Sequence, residues 1–491
     1  MKAQYQILLV ILTISFIITG CEDSFVQMDP ISARQMEDVA KDADGVTKMT
    51  NAIYGELTTP YNYALGMFND QMSDDAWSER TPTWDDMGTM NNGVEQLGVS
   101  YEGLIDGVAQ ANLLLDRTSE LMDTYTESER EIIEVRRGEA FFLRGLIYFN
   151  LVRLWGEVPL LTQHYEDPFE AAQPRSSIDE IYSQVKSDID AAIERLPEKA
   201  DTDNWRANLA SAYTLKAKVH LTLEEWSDVV QAADNVINLG TYSLVPGSEY
   251  GTMWGENRAE NNNSESIFEI EYDGTRAASS SFNERWHKTI HATDNDNTTG
   301  FKGSAGPHSL VQAVQHADSI RRYYALLPKD EMSDGIEKFA TYEYAGNRKY
   351  YLGDATIQDP QNHVVFRYAE VLMMKAEALN EMGQPDPAID LLNQIRNRVD
   401  FKEYTGPADK VSLRHAIWFE RRLEFTSEQK RFFDLNRWGV LLDTLRTFTG
   451  FSDMSDQHFV EHDITGKQHF YLPLPQNVLD LNARIEPQYG Y

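Results

Sequence analysis

The sequence predicts a mainly α fold: a superhelix of tetratricopeptide-like helix pairs, broken by a loop-rich ligand-binding insertion that contains short strands. Three observations predict it. Apolar residues recur at three- and four-residue steps, as one face of a helix requires. Capping-box spacings and Gly or Pro residues bracket these stretches, so the helices meet in tight turns. Between residues 241 and 361 the helical period fades, and Asn, Gly, Ser, Asp and aromatic residues accumulate. A long irregular insertion with many aromatics in a helical scaffold points to function.

The chain starts with a segment that is not part of this fold. Lys2 gives a short positive start, and residues 7–18 are almost all Ile, Leu, Val and Phe. That run is too short to span a bilayer and suits the apolar region of a secretion signal. Thr19 and Gly20 precede Cys21, the only cysteine. The arrangement resembles a bacterial lipobox, with residues 1–20 removed and Cys21 lipidated. Several acyl chains on one residue would give firm anchoring. A single cysteine excludes an intramolecular disulfide or a cysteine metal cluster.

Residues 21–240 form an N-terminal helical region. Thr126 and Glu129 have capping-box spacing ahead of a helix reaching Trp155, with Ala140, Leu143, Ile147, Leu151 and Leu154 on one face. Phe141, Tyr148, Val152 and Trp155 cover another, so the helix is buried between neighbours. Gly156 and Pro159 end it. Ser177 and Glu180 cap the next helix, with a stripe from Ile181 to Leu196 ended by Pro197. Leu209, Tyr213, Ala217 and Leu221 mark a third. Thr222 and Glu225 are read as the cap of a fourth, which Gly240 closes. Residues 241–491 form the C-terminal region: the insertion to residue 361, where residues 266–272 alternate as a short strand does, then a last helix pair and further helices over 362–491. In that pair Tyr368, Leu372, Ala376 and Leu379 lead to Gly383, and Ala388, Leu391, Ile395 and Val399 follow. The turns are those of stacked helix-pair repeats.

Composition narrows the function. Hydrophobic residues at 42% and charged residues at 25% belong to a folded globular chain. A formal net charge of -34 repels phosphate backbones, which argues against nucleic-acid binding. There is no P-loop, dinucleotide fingerprint or nucleophile-elbow serine, so no cofactor is expected.

Five blocks, taken together, carry a resemblance to a known family. Residues 135–159 read VRRGEAFFLRGLIYFNLVRLWGEVP, residues 366–383 FRYAEVLMMKAEALNEMG, residues 419–425 FERRLEF, residues 430–439 KRFFDLNRWG, and the ending contains YLPLPQ at 471–476 and QYGY at 488–491. These blocks, in order and behind a lipobox, resemble the SusD/RagB family. The resemblance implies four tetratricopeptide-like units and a loop-rich ligand site. It implies a surface-exposed lipoprotein of the outer membrane, held by Cys21, that binds nutrient oligomers and has no catalytic activity. Its partner would be a SusC-like TonB-dependent barrel, over which it sits as a lid. Oligosaccharides are the common cargo in this family and peptides the cargo of some members.

Sugars present apolar ring faces and many hydroxyls, so their sites combine aromatic platforms with Asp, Asn and Arg. Two irregular stretches have this character. Around residues 69–85 it is carried by Asp70, Asp74, Trp77 and Trp84, and in the insertion by Asn283, Trp286 and Arg348. Trp254, Tyr272, His287 and Tyr350 are of similar type. For each Trp the competing reading is loop packing. Glu420, Arg421, Arg422 and Glu424, with Arg431, Asp434 and Arg437, read as a structural ion-pair network. Glycosidase carboxylates must flank an open cleft, which two Glu one turn apart among arginines do not suggest. A surface glycoside hydrolase is the alternative from another class, with Asp70 and Asp74 as its carboxylates; a scaffold that binds only proteins is a third. No metal site is expected. The Asp-Asn-Asp-Asn run at 294–297 lacks the closing Glu of a calcium loop, and Lys288 stands where a zinc hydrolase motif around His287 and His291 needs Glu.

Overall fold

The computed structural model describes residues 39–62, 93–199, 205–254, 261–272, 361–447 and 471–486 continuously, with short stretches between 64 and 75 and between 310 and 349. Its described residues are mostly helical. Helix α1 (Ala43–Glu56) starts at Asp42, whose side chain accepts from the Gly45 amide at 2.8 Å. Short α2 (Thr58–Asn62) and long α3 (Glu95–Leu121) follow. Helix α4 (Glu127–Trp155) has the full capping box between Thr126 and Glu129, and α5 (Ile178–Ile193) has the one between Ser177 and Glu180. Each box satisfies two amides that a helix start otherwise leaves bare. Gly156 stops α4 at φ 71°, with Tyr471 packed so close that a Cβ would lie 3.3 Å from its ring.

Helices α6 (Leu209–Thr222) and α7 (Trp226–Leu239) form the next hairpin. Here the sequence reading needs two corrections. Asn208 and Ser211 form an unforeseen capping box on α6. The cap assigned to Thr222 and Glu225 is absent. Thr222 is the last residue of α6 and donates to the Lys218 carbonyl at 2.9 Å. Glu225 accepts instead from Lys186 at 2.6 and 2.7 Å and contacts His220. A charged partner on α5 outcompetes a local cap.

Strand β1 (Ser266–Ile270) pairs antiparallel with β4 (His363–Arg367), which was not foreseen. All five residues of each strand are buried, so neither shows the half-exposed pattern that marks a surface strand. Between them lie α8 (Ser319–Ala325) and a second small antiparallel pair, β2 (Leu327–Pro328) with β3 (Tyr344–Gly346). Helices α9 (Tyr368–Glu381) and α10 (Pro385–Arg398) are joined at Gly383, which takes φ 73° as a C-terminal helix stop does. Then come α11 (Lys410–Glu424), α12 (Arg431–Arg437), α13 (Leu441–Thr447) and α14 (Gln476–Leu481).

Helices pack largely on their chain neighbours: α3 on α4, α4 on α5, α5 on α6, α6 on α7, then α7 on α9, α9 on α10, and both on α11. That succession makes the tetratricopeptide-like stack. One core runs through both halves of the chain, including Leu57, Trp155, Leu215, Phe366 and Leu474. A second lies under α9 to α11 around Leu372, Leu392 and Ile417. The ending motif has a local reason. The Leu472 amide donates to the Leu154 carbonyl at 2.6 Å, and the Trp155 indole donates to the Pro473 carbonyl at 3.1 Å. The end of α4 and the segment at 472–473 therefore satisfy each other.

Candidate functional site

The turn between α11 and α12 organises the irregular segments. Ser427 and Gln429 adopt left-handed backbone at φ 63° and 56°. Such backbone is costly for side chains other than glycine and persists only where surrounding contacts enforce it. Here the contacts are charges. Glu420, Glu424 and Glu428 are at most 2% exposed. Arg367, at the end of β4, donates to Glu265 at 2.6 Å, to Glu424 at 2.7 Å and to Glu428 at 2.7 and 2.8 Å. Arg398 bonds Glu265 at 3.0 Å and also contacts Glu424. Glu420 accepts from Arg321 at 2.6 Å and Arg396 at 2.5 Å, and Arg321 also holds Asp318. Burial alone would raise the Glu424 carboxyl, but Arg398, Arg367 and Arg321 hold it well below the usual carboxylate range. A further cluster joins Asp434 to Arg421 and Arg437, and Arg437 to Glu377. The hallmark charges thus form the expected network. Glu420 and Glu424 face arginines and are both 0% exposed.

Two segments from the irregular regions end on this turn. In the first, Arg431 donates to Asp74 at 2.7 Å. Arg422 donates to the Asp75 carboxylate and to the Asp74 carbonyl, both at 2.9 Å. In the second, the Lys349 ammonium donates to the Glu424 carbonyl at 2.8 Å and to Glu428 at 2.6 Å. Lys349 is 0% exposed. Trp77 follows Asp75 by two residues, and Arg348 precedes Lys349 by one.

This placement corrects the assignment of Asp70 and Asp74 to ligand contact. They are 1% and 4% exposed. Asp74 is bound by the chain's own arginines; burial would raise its carboxyl, but Arg422 and Arg431 lower it. Asp70 lies against Gln429, and burial, then the negative charges of Asp75 and Glu428, push its carboxyl well above the usual range. Asp74, held by two arginines, is not the free carboxylate that a hydrolase pair with Asp70 needs. Trp254 is 1% exposed beside the Lys349 ammonium, and the buried Tyr272 hydroxyl donates to the Thr58 carbonyl at 2.9 Å, so both pack the interior. Trp77, Trp84, Asn283, Trp286, Arg348 and the lipidation residue Cys21 lie outside the described residues, as do His287, His291 and residues 294–297. Sequence reasoning missed Asp75, Lys349 and Glu428. Their partners are remote in sequence, and no local spacing signals them.

Among the described residues, an open pocket of about 510 Å³ lies beside the start of α5, lined by Leu160, Thr162, Ser176, Asp179, Ser183 and Gln184; two other candidate sites are small. A cavity lined by Asn69, Asn150, His363, Gln429 and Lys430 has a volume of about 30 Å³, room for water but not for a sugar ring. His220, Glu225 and Asp228 bring three metal-capable atoms within 4.8 Å of one another, but the Glu225 carboxylate already holds the Lys186 ammonium. No helix among the described residues is long and apolar enough to cross a membrane.

Comparison with known proteins covers most of the chain. Residues 323–491 match the model of the SusD family, and residues 25–221 match a family described as starch-binding and associating with the outer membrane. A SusD-like protein of Formosa agariphila is 25% identical over 482 residues, covering 88% of this chain and 91% of that protein. A SusD-like protein of Bacteroides ovatus is 21% identical over 88% of this chain and 82% of its own length. Among solved structures, a SusD superfamily protein from Bacteroides vulgatus aligns with a TM-score of 0.77 at 22% identity, covering 92% of this chain and 99% of that one. A laminarin-binding SusD-like protein aligns with a TM-score of 0.71 at 23% identity, covering 91% of this chain and 99% of that one. At these identities the structural likeness speaks for the fold.

Proposed function

The chain belongs to the SusD/RagB family, and on that premise we propose that it is a surface lipoprotein of the outer membrane that captures oligosaccharides. It is anchored through Cys21 and delivers its cargo to a SusC-like TonB-dependent barrel. One observation carries the reading of the site. Asp74 and Asp75 on one side and Lys349 on the other converge on the turn after α11. In the sequence an aromatic, Trp77, comes two residues after Asp75, and a guanidinium, Arg348, one residue before Lys349. That pairing suits a sugar: a ring face for stacking and donors for hydroxyls. Trp84, Asn283 and Trp286 complete the proposed contact set.

The laminarin-binding neighbour supports a glycan over a peptide as cargo. The protein acts by binding and not by catalysis: the hallmark carboxylates Glu420 and Glu424 are enclosed and matched by arginines, so neither is free to protonate a leaving group. Affinity of the isolated chain is modest and rises when the barrel adds contacts to the same ligand. The test is affinity electrophoresis of the soluble form, lacking residues through Cys21, against a polysaccharide panel that includes laminarin. Retardation by one glycan, lost on Trp77→Ala, Trp84→Ala or Trp286→Ala, is the expected result. Retardation by none of them, with saturable binding of peptides, would move the cargo to the peptide class.

A further inference from the structure

The segments of the proposed site come from distant parts of the chain, and both are fastened to one turn. We propose that the junction over residues 420–431, the end of α11, the turn and the start of α12, is a positioning device for the ligand loops: Arg422 fixes the first loop, Glu428 fixes the second, and neither touches ligand. This rests on the oligosaccharide-binding reading above.

The chemistry of the loops explains why charges do this. Residues 69–75 read NDQMSDD, in which Met72 is the one large apolar side chain to bury. Hydrophobic packing is proportional to apolar area removed from water, and so little area cannot fix a loop. Directional charged hydrogen bonds can. Arg422 grips the loop at two points, the Asp75 side chain and the Asp74 backbone carbonyl, and so fixes the path of the chain. Arg431 adds a second hold on Asp74 through two nitrogens, at 2.7 and 3.2 Å. On the other side Lys349 is drawn fully inside, between Glu428 and the Glu424 carbonyl. A lysine is buried at great cost unless paired, so this pairing pins the second loop at one residue. Arg367 with Glu265 joins the end of β4 to the residue before β1 and holds neither of these two loops.

A ligand that needs both loops in place binds with an apparent affinity reduced by the fraction of molecules in which they are. The test uses the full mature chain and four variants. D75N removes one charge from the first loop at constant shape. K349M and the milder E428Q release the second. R414Q, which breaks the Arg414–Glu381 pair at 2.6 Å between α9 and α11, is the control. Hydrogen exchange is read for peptides covering 69–92 and 344–360, with melting temperature and affinity for laminarin oligosaccharides alongside. D75N is expected to speed exchange in 69–92 and not in 344–360, and K349M or E428Q the reverse, with helices α4 and α5 unchanged. A loop in place a tenth of the time gives an affinity loss of about tenfold, which R414Q does not share. Uniform acceleration along the whole chain would reduce these residues to ordinary stabilising pairs and overturn the proposal. So would unchanged exchange in the loop that each variant should release. Selective loosening with no laminarin binding by the unaltered chain upholds the positioning device and rejects laminarin as cargo.

Discussion

Replacing Arg367 by methionine tests how the fold holds its buried charge. Arg321, Lys349, Arg367, Arg396 and Arg398 face Glu265, Asp318, Glu420, Glu424 and Glu428, so cations and carboxylates balance. The Arg367 side chain is 2% exposed and bonds three of those carboxylates. Methionine fills similar space without charge and leaves one uncompensated negative charge inside. Breaking a buried pair in this way costs about 3–5 kcal/mol. Unfolding entropy scales with chain length, and for a chain of this size it is on the order of 1 kcal/mol per kelvin. The melting temperature, read by circular dichroism, is therefore expected to fall by about 3–5 °C. The shift should persist in about 1 M salt, because enclosed charges are poorly screened. R367M/E265Q restores the balance and should recover part of the loss. A shift below about 1 °C, or one that vanishes in salt, would mean that water reaches these groups and that the network does not organise the turn.

Three further outcomes follow from other parts of the structure. His363 is buried, and burial, with the charges of Lys430 and Lys218, pushes its pKa down to about 3 from 6.5. Below pH 6.5 the unfolded imidazole takes up a proton that the folded one refuses, so stability falls as pH drops, by about 1.4 kcal/mol per unit. Between about pH 7.5 and 5 the unaltered chain should lose about 2 kcal/mol more than His363→Gln; equal losses in urea titrations would contradict this. Gly156→Ala places a Cβ at φ 71° and ψ -120° against Tyr471. It should cost about 1–3 kcal/mol, seen as a lower melting temperature, and an unchanged one would show that the α4 stop is not strained. Cys21→Ser should move the chain from the membrane to the soluble fraction of whole cells, and retention in the membrane would remove the lipid anchor from the account.

What was legible in the sequence was local. The boxes at Thr126 and Ser177 formed because cap and partner sit three residues apart with no competitor. Glu225 had the same spacing and failed because Lys186, on α5, claimed it. Strand β4 was hidden because it is buried throughout and runs straight into α9, so it blends into a helical pattern. The hallmark charges were recognisable as a network, but most partners were not: Glu420 reaches Arg321, and Glu424 reaches Arg367 and Arg398. Asp434 with Arg437, three residues on, is the part that local spacing does reveal. Asp70 and Asp74 were misread for the same reason. A polar, acidic loop suits a sugar equally well as it suits arginines, and Arg422 and Arg431 lie about 350 residues away in sequence.

The central claim is that the chain binds an oligosaccharide and leaves it intact. The most direct measurement is calorimetric titration of the soluble form with laminarin oligosaccharides, followed by chromatography of the recovered sugar. Saturable heat, lost on Trp77→Ala, with the sugar recovered at its starting length, is the expected result. Shorter products accumulating during the titration would contradict the claim and make the protein an enzyme.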